Sequence, residues 1–312
     1  MDKRRELAEL VKPLSDDLTS GAAEIALRAI SVFQTMIAGC ERDNADVVRD
    51  LLRQTARALV NAQPAMAPVF HLGNSVLLAT RDTKDGGQTI DACNEALARF
   101  EKRLCESAAL IADQVIKLIP PGELIFAFSF SSTVVSSLLA ARATGKFFRV
   151  VCTEARPSME GRKLAGVLAA GGIEVIHTFD SAFGLILPNC RAAFMGCDCV
   201  GLPGIVNKVG SWSLAVACRE LSVPLYALSG TEKFINDDHF FEFERHERPG
   251  HEVWPDPPKG VRVLNHQFEI VPFSLLSGLV TEQGVLQEED IKVHVSSLEV
   301  HESMTLEGST VG

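Results

Sequence analysis

A chain of 312 residues, 46% hydrophobic and 22% charged, has room for one large or two ordinary globular domains with real cores. Its formal net charge of -10 argues against nonspecific nucleic-acid binding, because an acidic surface repels a phosphate backbone, although locally converging cations can still hold a phosphate. No apolar run approaches membrane-spanning length, and Met1-Asp2-Lys3-Arg4-Arg5 leads into an amphipathic segment, not a signal-peptide core. A cytoplasmic protein is expected, with neither nucleic acid nor membrane as a partner.

The first part of the chain carries helical periodicity. Ala22, Ile25, Ala26, Ala29, Ile30, Phe33 and Met36 recur at three- and four-residue spacing, behind Thr19-Ser20-Gly21 as an N-cap region. A second helix fits Ala45 to Asn61, with Val47, Leu51, Leu52, Ala56 and Leu59 inward. Gln63-Pro64 interrupts, and Pro68 lies early in the next helical segment. Asp85-Gly86-Gly87 reads as a turn before a long helix from about Thr89 to Leu118, striped by Ala92, Ala96, Leu97, Phe100, Leu104, Ala108, Ile111 and Val115.

Pro120-Pro121-Gly122 breaks this pattern, so the expected organisation is a helical domain over 1–120 and a second domain over 121–312. Beyond it short apolar runs alternate with helical segments. The runs are Leu124–Phe128, Arg149–Cys152, Glu174–His177, Ala192–Met195 and Val223–Leu228; the helices are Thr133–Ala143, Glu160–Ala170 and Trp212–Leu221. This alternation predicts an α/β fold with a Rossmann-like, doubly wound parallel sheet. Phe234 to Pro258 is polar and proline-bearing and reads as a long loop, a lid or an interface. Leu264 to Leu279 is apolar enough to suggest a homodimer contact, with core packing as the competing explanation. From Ile291 a short strand and a loose terminus both fit.

Eight cysteines, at 40, 93, 105, 152, 190, 197, 199 and 218, lie mostly in apolar segments and read as buried free thiols. Cys197-Asp198-Cys199 is not a zinc spacing, and no metal or other cofactor is expected. There is no Gly-x-Gly-x-x-Gly and no P-loop.

The chemistry-bearing residues cluster where strands end, the place at which open α/β sheets bind ligands. Thr153-Glu154-Ala155-Arg156-Pro157 follows one strand, with Gly161-Arg162-Lys163 a helical turn on. Ser129-Phe130-Ser131-Ser132-Thr133 follows the first strand and opens a helix, where hydroxyls and N–H groups either cradle a phosphate or simply cap. Asp180 either caps the next helix or touches ligand. Asp198, in Gly196-Cys197-Asp198, is either a general acid or base or a loop-fixing acceptor. Lys208, in Asn207-Lys208-Val209-Gly210 at a helix start, Lys233 in Glu232-Lys233-Phe234, and Arg156 would place three cations round one crevice.

In this order these motifs resemble the translation initiation factor 2B alpha/beta/delta subunit family, which includes ribose-1,5-bisphosphate isomerase and methylthioribose-1-phosphate isomerase. The likeness runs from Ser20-Gly21-Ala22-Ala23-Glu24-Ile25 to Phe268-Glu269-Ile270-Val271-Pro272 and Thr281-Glu282-Gln283-Gly284. It implies a helical N-terminal domain, a Rossmann-like C-terminal domain, and homodimers or larger rings. The family's isomerases move hydrogen between C2 and C1 of a sugar phosphate with a cysteine and an aspartate. The aspartate matches Asp198 and the cysteine falls on Ser129, a far weaker acid–base group. Two phosphate-binding arginines match Ser20 and Gln63. The resemblance leaves Gly21, Ala22, Ser131, Ser132, Thr133, Asn207, Lys208 and Lys233, with Arg156, for ligand binding; Cys152 and Cys197 are candidates for a displaced thiol. The expected function is binding of a sugar phosphate or nucleotide monophosphate. The alternatives are an aldose–ketose isomerase acting on a phosphorylated pentose, and a subunit that docks on a translation GTPase.

Overall fold

The computed structural model describes residues 3–17, 21–64, 66–236 and 247–304. Its contacts group into two compact units, Met1–Glu106 with Ser297–Gly312, and Ser107–Ser296.

The first unit is helical: α1 (Lys3–Ser15), α2 (Ala22–Ile37), α3 (Ala45–Ala62), α4 (Ala67–Thr80) and the first part of α5 (Gly86–Leu118). Gly21 takes the N-cap position of α2 without a side-chain cap, and Thr19 and Ser20 lie outside the described residues. Asn44 caps α3 by accepting from the Asp46 and Val47 amides at 3.0 and 3.2 Å. The inner face of α3 is Val48, Leu52, Thr55, Ala56 and Leu59, whereas Val47 is 60% exposed. Asp85 accepts from the Gln88 amide at 2.8 Å, which starts α5 at Gly86, earlier than the turn reading placed it. Asn74 donates to Glu299 O and accepts from His301 N, both at 2.8 Å, and so fastens the segment after Ser296 to the helices.

The second unit contains the sheet. Its strands are β1 (Leu124–Phe128), β2 (Arg149–Thr153), β3 (Glu174–Thr178), β4 (Ala192–Met195), β7 (Leu225–Leu228), β9 (Gly278–Thr281) and β10 (Gly284–Leu286), in the order β10-β9-β7-β4-β1-β2-β3. All neighbours are parallel except β9 and β10. Helices α6 (Ser132–Ala143), α7 (Glu160–Ala170), the single turn α8 (Phe183–Ile186) and α9 (Ser211–Glu220) connect the strands. The order grows one way from β1 through β2 to β3, and the other way from β4 to β7, so β1 and β4 flank the switch point of a doubly wound sheet. Ile111, Val115 and Ile119, at the end of α5 and just beyond it, pack with Ile125, Val134, Leu138, Phe148, Val150, Leu164 and Phe194 in its core.

A second, antiparallel sheet of β5 (Cys199–Gly201), β6 (Gly204–Lys208) and β8 (Phe268–Val271) was not anticipated. Asn207 and Lys208 therefore end a strand, and α9 begins only at Ser211. Ile291 lies in a helix, α10 (Glu288–Ser296), which corrects the short-strand reading there; residues 305–312, on which the loose-terminus reading also falls, lie outside the described residues. Much of the apolar run after Leu264 is core: Val271, Phe273, Leu275 and Leu279 are buried. The loop expected at 234–258 falls partly on residues 237–246, outside the described residues. Among the described residues no helix is long and apolar enough to cross a membrane.

Candidate functional site

The residues at the carboxyl ends of β1, β2 and β4 meet at the switch point. Directly after β1, Ser129 holds φ 60, and in the loop after β2 Ala155 and Met159 hold φ 54 and 58. Non-glycine residues pay for left-handed backbone, and such strain concentrates at functional sites. Asp180 accepts from the Ala155 and Arg156 amides at 2.8 and 2.9 Å. Asp180 thus ties down the loop after β2. The Arg156 side chain is exposed.

Gly161 brings the start of α7 against the end of β2. A Cβ there would stand 1.6 Å from the Thr153 carbonyl oxygen, so only glycine fits. That close approach points Glu160, the first residue of α7, into the site. Ser129 Oγ donates to Glu160 Oε2 at 2.7 Å, Ser158 Oγ donates to Oε1 at 3.1 Å, and Lys208 Nζ lies 2.9 Å from Oε1. Lys208 is only 4% exposed, with the Phe268 ring centroid 5.4 Å from its ammonium. Burial alone would push Glu160 up. The charge of Lys208 and the hydrogen bonds from Lys208, Ser129 and Ser158 together outweigh it, and the carboxyl sits below its ordinary range.

Asn207 is buried and donates to Ser211 Oγ at 2.9 Å, which in turn donates to Lys208 O at 2.6 Å. At the end of β4 a Cβ on Gly196 would lie 2.6 Å from Ser131 Cβ and 3.8 Å from Asn207 Oδ1. Glycine there lets the start of α6 approach the β4 loop. Ser131 caps α6 through the Val134 amide at 3.4 Å, Ser132 opens the helix on its exposed side, and Thr133 follows, partly buried. The capping reading of Ser131 holds, and it leaves the first amides of α6 available to an anion.

Lys233 donates to Cys197 O at 2.6 Å, beside Asp198. The Asp198 amide donates to Val206 O at 2.8 Å, and no hydrogen bond to its carboxylate is found among the described residues. Burial pushes the carboxyl above its ordinary range. The charges of Lys233 and Lys208 oppose the rise and that of Glu160 adds to it. Among the described residues the loop-fixing reading of Asp198 thus finds no donor.

The structure thus gathers Ser129, Ser131, Asp198, Asn207, Lys208 and Lys233 in one unit. Gly21 and Ala22 belong to the helical unit, at the start of α2. Gln63 donates to Asp17 O at 3.1 Å and also to Leu14 O, which holds the end of α1. Ser20 lies outside the described residues. Neither thiol candidate is activated: burial pushes Cys152 and Cys197 up to about 12. Glu160 is the residue that sequence reasoning passed over. An acidic residue in the first turn of a helix reads as a favourable dipole contact, and nothing local marks it as a partner of Lys208.

The model of the initiation factor 2 subunit family matches residues 18–288. A translation initiation factor eIF-2B subunit 2-like protein of Pyrococcus horikoshii is 27% identical over 282 residues, covering 89% of this chain and 95% of the relative. A ribose 1,5-bisphosphate isomerase of Thermococcus kodakarensis is 26% identical over 297 residues, covering 90% and 91%. The crystal structure of the Pyrococcus horikoshii OT3 translation initiation factor eIF-2B superposes with a TM-score of 0.75 at 26% identity, over 90% of this chain and 96% of that one. With a family model spanning all but its ends, the chain belongs to the initiation factor 2 subunit family.

Proposed function

We propose that this protein binds a phosphorylated sugar or nucleoside monophosphate in the crevice at the switch point. The observation that carries the reading is the nearly buried Lys208, held beside Ser129, Glu160 and Asp198 at the ends of β1 and β4. A lysine is rarely buried unless its charge is used. The first amides of α6 and the hydroxyls of Ser131, Ser132 and Thr133 would take the phosphate, and Lys208, Lys233, Asn207 and Asp198 the sugar oxygens. Kinship with a ribose 1,5-bisphosphate isomerase supports this ligand class. The test is a thermal-shift and calorimetry panel of pentose phosphates and nucleoside monophosphates. Stabilisation that is lost in Lys208→Met is expected, and a flat response across the panel refutes the reading.

A second reading, an aldose–ketose isomerase, is favoured by one observation. Asp198 is a carboxyl with a raised pKa and no internal hydrogen bond among the described residues, as a proton shuttle requires. Turnover of a pentose phosphate, lost in Asp198→Asn with binding retained, would establish it. The absence of turnover with pentose and methylthiopentose phosphates would remove it. We take the assembled form to be a homodimer or larger ring, and a monomer in sedimentation at micromolar concentration would contradict that.

A further inference from the structure

Lys208 does not wait in the crevice as a free cation. Glu160 Oε1 lies 2.9 Å from its ammonium, and the other oxygen, Oε2, takes the Ser129 hydroxyl at 2.7 Å. Glu160 is also hard to move. It opens α7 one residue before Gly161, where the helix start is pressed against the Thr153 carbonyl, and Ser158 holds it from a third side at 3.1 Å. The two lysines of the crevice are matched by two carboxyl groups, Glu160 and Asp198, and both lysines act electrostatically on Asp198.

A second phosphate reaching for Lys208 would meet the Glu160 carboxylate at the same contact distance, and like charges that close repel even where one of them is partly solvated. A sugar hydroxyl in that place finds the opposite. It can donate to Glu160 while accepting from Lys208. We infer that Glu160 is a selectivity residue: it makes the Ser129–Lys208 end of the crevice accept the hydroxyl-bearing part of a monophosphate ester and reject a second phosphate. The inference rests on the sugar-phosphate reading and deepens it by setting monoesters above bisphosphates. Among relatives of this chain is one named for a bisphosphate substrate, so the two would differ in preference.

The test is calorimetric titration of ribose 5-phosphate and ribose 1,5-bisphosphate into wild type, Glu160→Gln, and the double variant Glu160→Gln/Lys208→Met. Wild type should bind the monoester more tightly. Glu160→Gln should move the ratio of the two affinities toward the bisphosphate by at least about tenfold, and removing Lys208 as well should reverse that gain. A purely structural role for Glu160 would weaken both esters together and leave the ratio unchanged. An unchanged ratio, or a wild type that prefers the bisphosphate, overturns the inference while the sugar-phosphate reading stands. Binding of the bisphosphate by Glu160→Gln alone upholds the inference. No binding of either ester by any of the three proteins overturns both readings. If Glu160→Gln fails to fold, Glu160→Ala is titrated in its place and judged by the same change in ratio.

Discussion

Replacing Lys208 by methionine keeps most of the apolar stem and removes the charge that Glu160 needs. Breaking a buried ion pair by deleting one partner costs roughly 3–5 kcal/mol, because the survivor is left uncompensated. Here the Lys208 side chain is 5% exposed and that of Glu160 30%, and Glu160 keeps the hydroxyls of Ser129 and Ser158. The survivor is partly solvated and still hydrogen-bonded, which places Lys208→Met at the low end, about 3 kcal/mol near neutral pH. In wild type the Glu160 carboxyl is held below its ordinary range. Its stabilising contribution is therefore complete above the unfolded glutamate value of about 4.3 and disappears as pH falls through the lower folded value. With Lys208 gone, burial is opposed only by two serines, so the variant has less of this contribution to lose. The gap between wild type and variant should be widest near neutral pH and close on acidification below about 4.3. Urea unfolding followed by tryptophan fluorescence reads this out, because the chain's two tryptophans, Trp212 and Trp254, both lie in the Ser107–Ser296 unit. The double variant with Glu160→Gln should cost clearly less than the single one, about 1–2 kcal/mol. A single-variant cost below about 1 kcal/mol, or one that does not change with pH, would refute the reasoning.

Four further outcomes are expected. Burial raises the folded pKa of Asp198, so its ionised form costs stability at neutral pH, and the cost fades as pH falls below the unfolded value of about 3.9. Asp198→Asn should therefore gain about 1 kcal/mol at neutral pH and nothing in acid by the same urea assay; equal stabilities at neutral pH would contradict this. Gly196→Ala puts a Cβ 2.6 Å from Ser131 Cβ and should cost about 1–3 kcal/mol while weakening phosphate-ester binding in calorimetry. Asp180→Ala removes the acceptor of two amides at 2.8 and 2.9 Å; a loss of about 2 kcal/mol is expected, with faster hydrogen exchange at Ala155 and Arg156. Burial pushes Cys93, Cys152, Cys197 and Cys218 up to about 12 and Cys190 to about 11, whereas Cys105 is exposed. Iodoacetamide should accordingly label Cys105 first by peptide mapping, and fast labelling of Cys152 or Cys197 in the native protein would restore a thiol catalyst.

Five of the parallel strands were legible because each is a short apolar run closed off by turn residues, and β1 through β4 and β7 fall where those runs lie; the sixth, β9, was not separated from the apolar stretch before it. The hairpin of β5 and β6 was not legible. Gly201, Pro203 and Gly204 break that stretch into what reads as a loop, and the chain continues into Gly210 and a helix, so Asn207 and Lys208 read as a helix start. Val47 and Val48 are adjacent valines, and pattern alone cannot choose between faces about 100° apart on a helix; packing chose Val48. Asp180 finds its partners 24 and 25 residues earlier, a pairing that exists only once β2 and β3 lie side by side. Asp198 and Lys233 could be placed on a common rim because they follow β4 and β7, whose ends share one edge of the main sheet, whereas Lys208 comes from β6 of the second sheet and not from the helix start its sequence suggests. Glu160 could not be placed there, since its reach into that rim depends on the closeness of Gly161 to Thr153.

Two carboxyl groups coupled to the same lysine are driven in opposite directions, and the cause is contact against field. Glu160 touches Lys208 and two hydroxyls directly, which overcomes its burial; Asp198 has only the field of Lys233 and Lys208 against its own burial. One is a fixed anion that accepts hydrogen bonds, and the other can hold or release a proton, the division of labour that acid–base sites use. With Ser129 where the family resemblance implies a thiol, and with burial pushing Cys152 and Cys197 up to about 12, the isomerase reading rests on Asp198. The binding and isomerase readings therefore share Lys208, Lys233 and the start of α6, and they part at a single side chain. Asp198→Asn leaves a hydrogen-bonding group of the same shape and removes the titrating one. A wild type that turns over no pentose phosphate, with ribose 5-phosphate binding altered in the variant, leaves Asp198 a ligand contact; lost turnover with retained binding makes it the proton carrier.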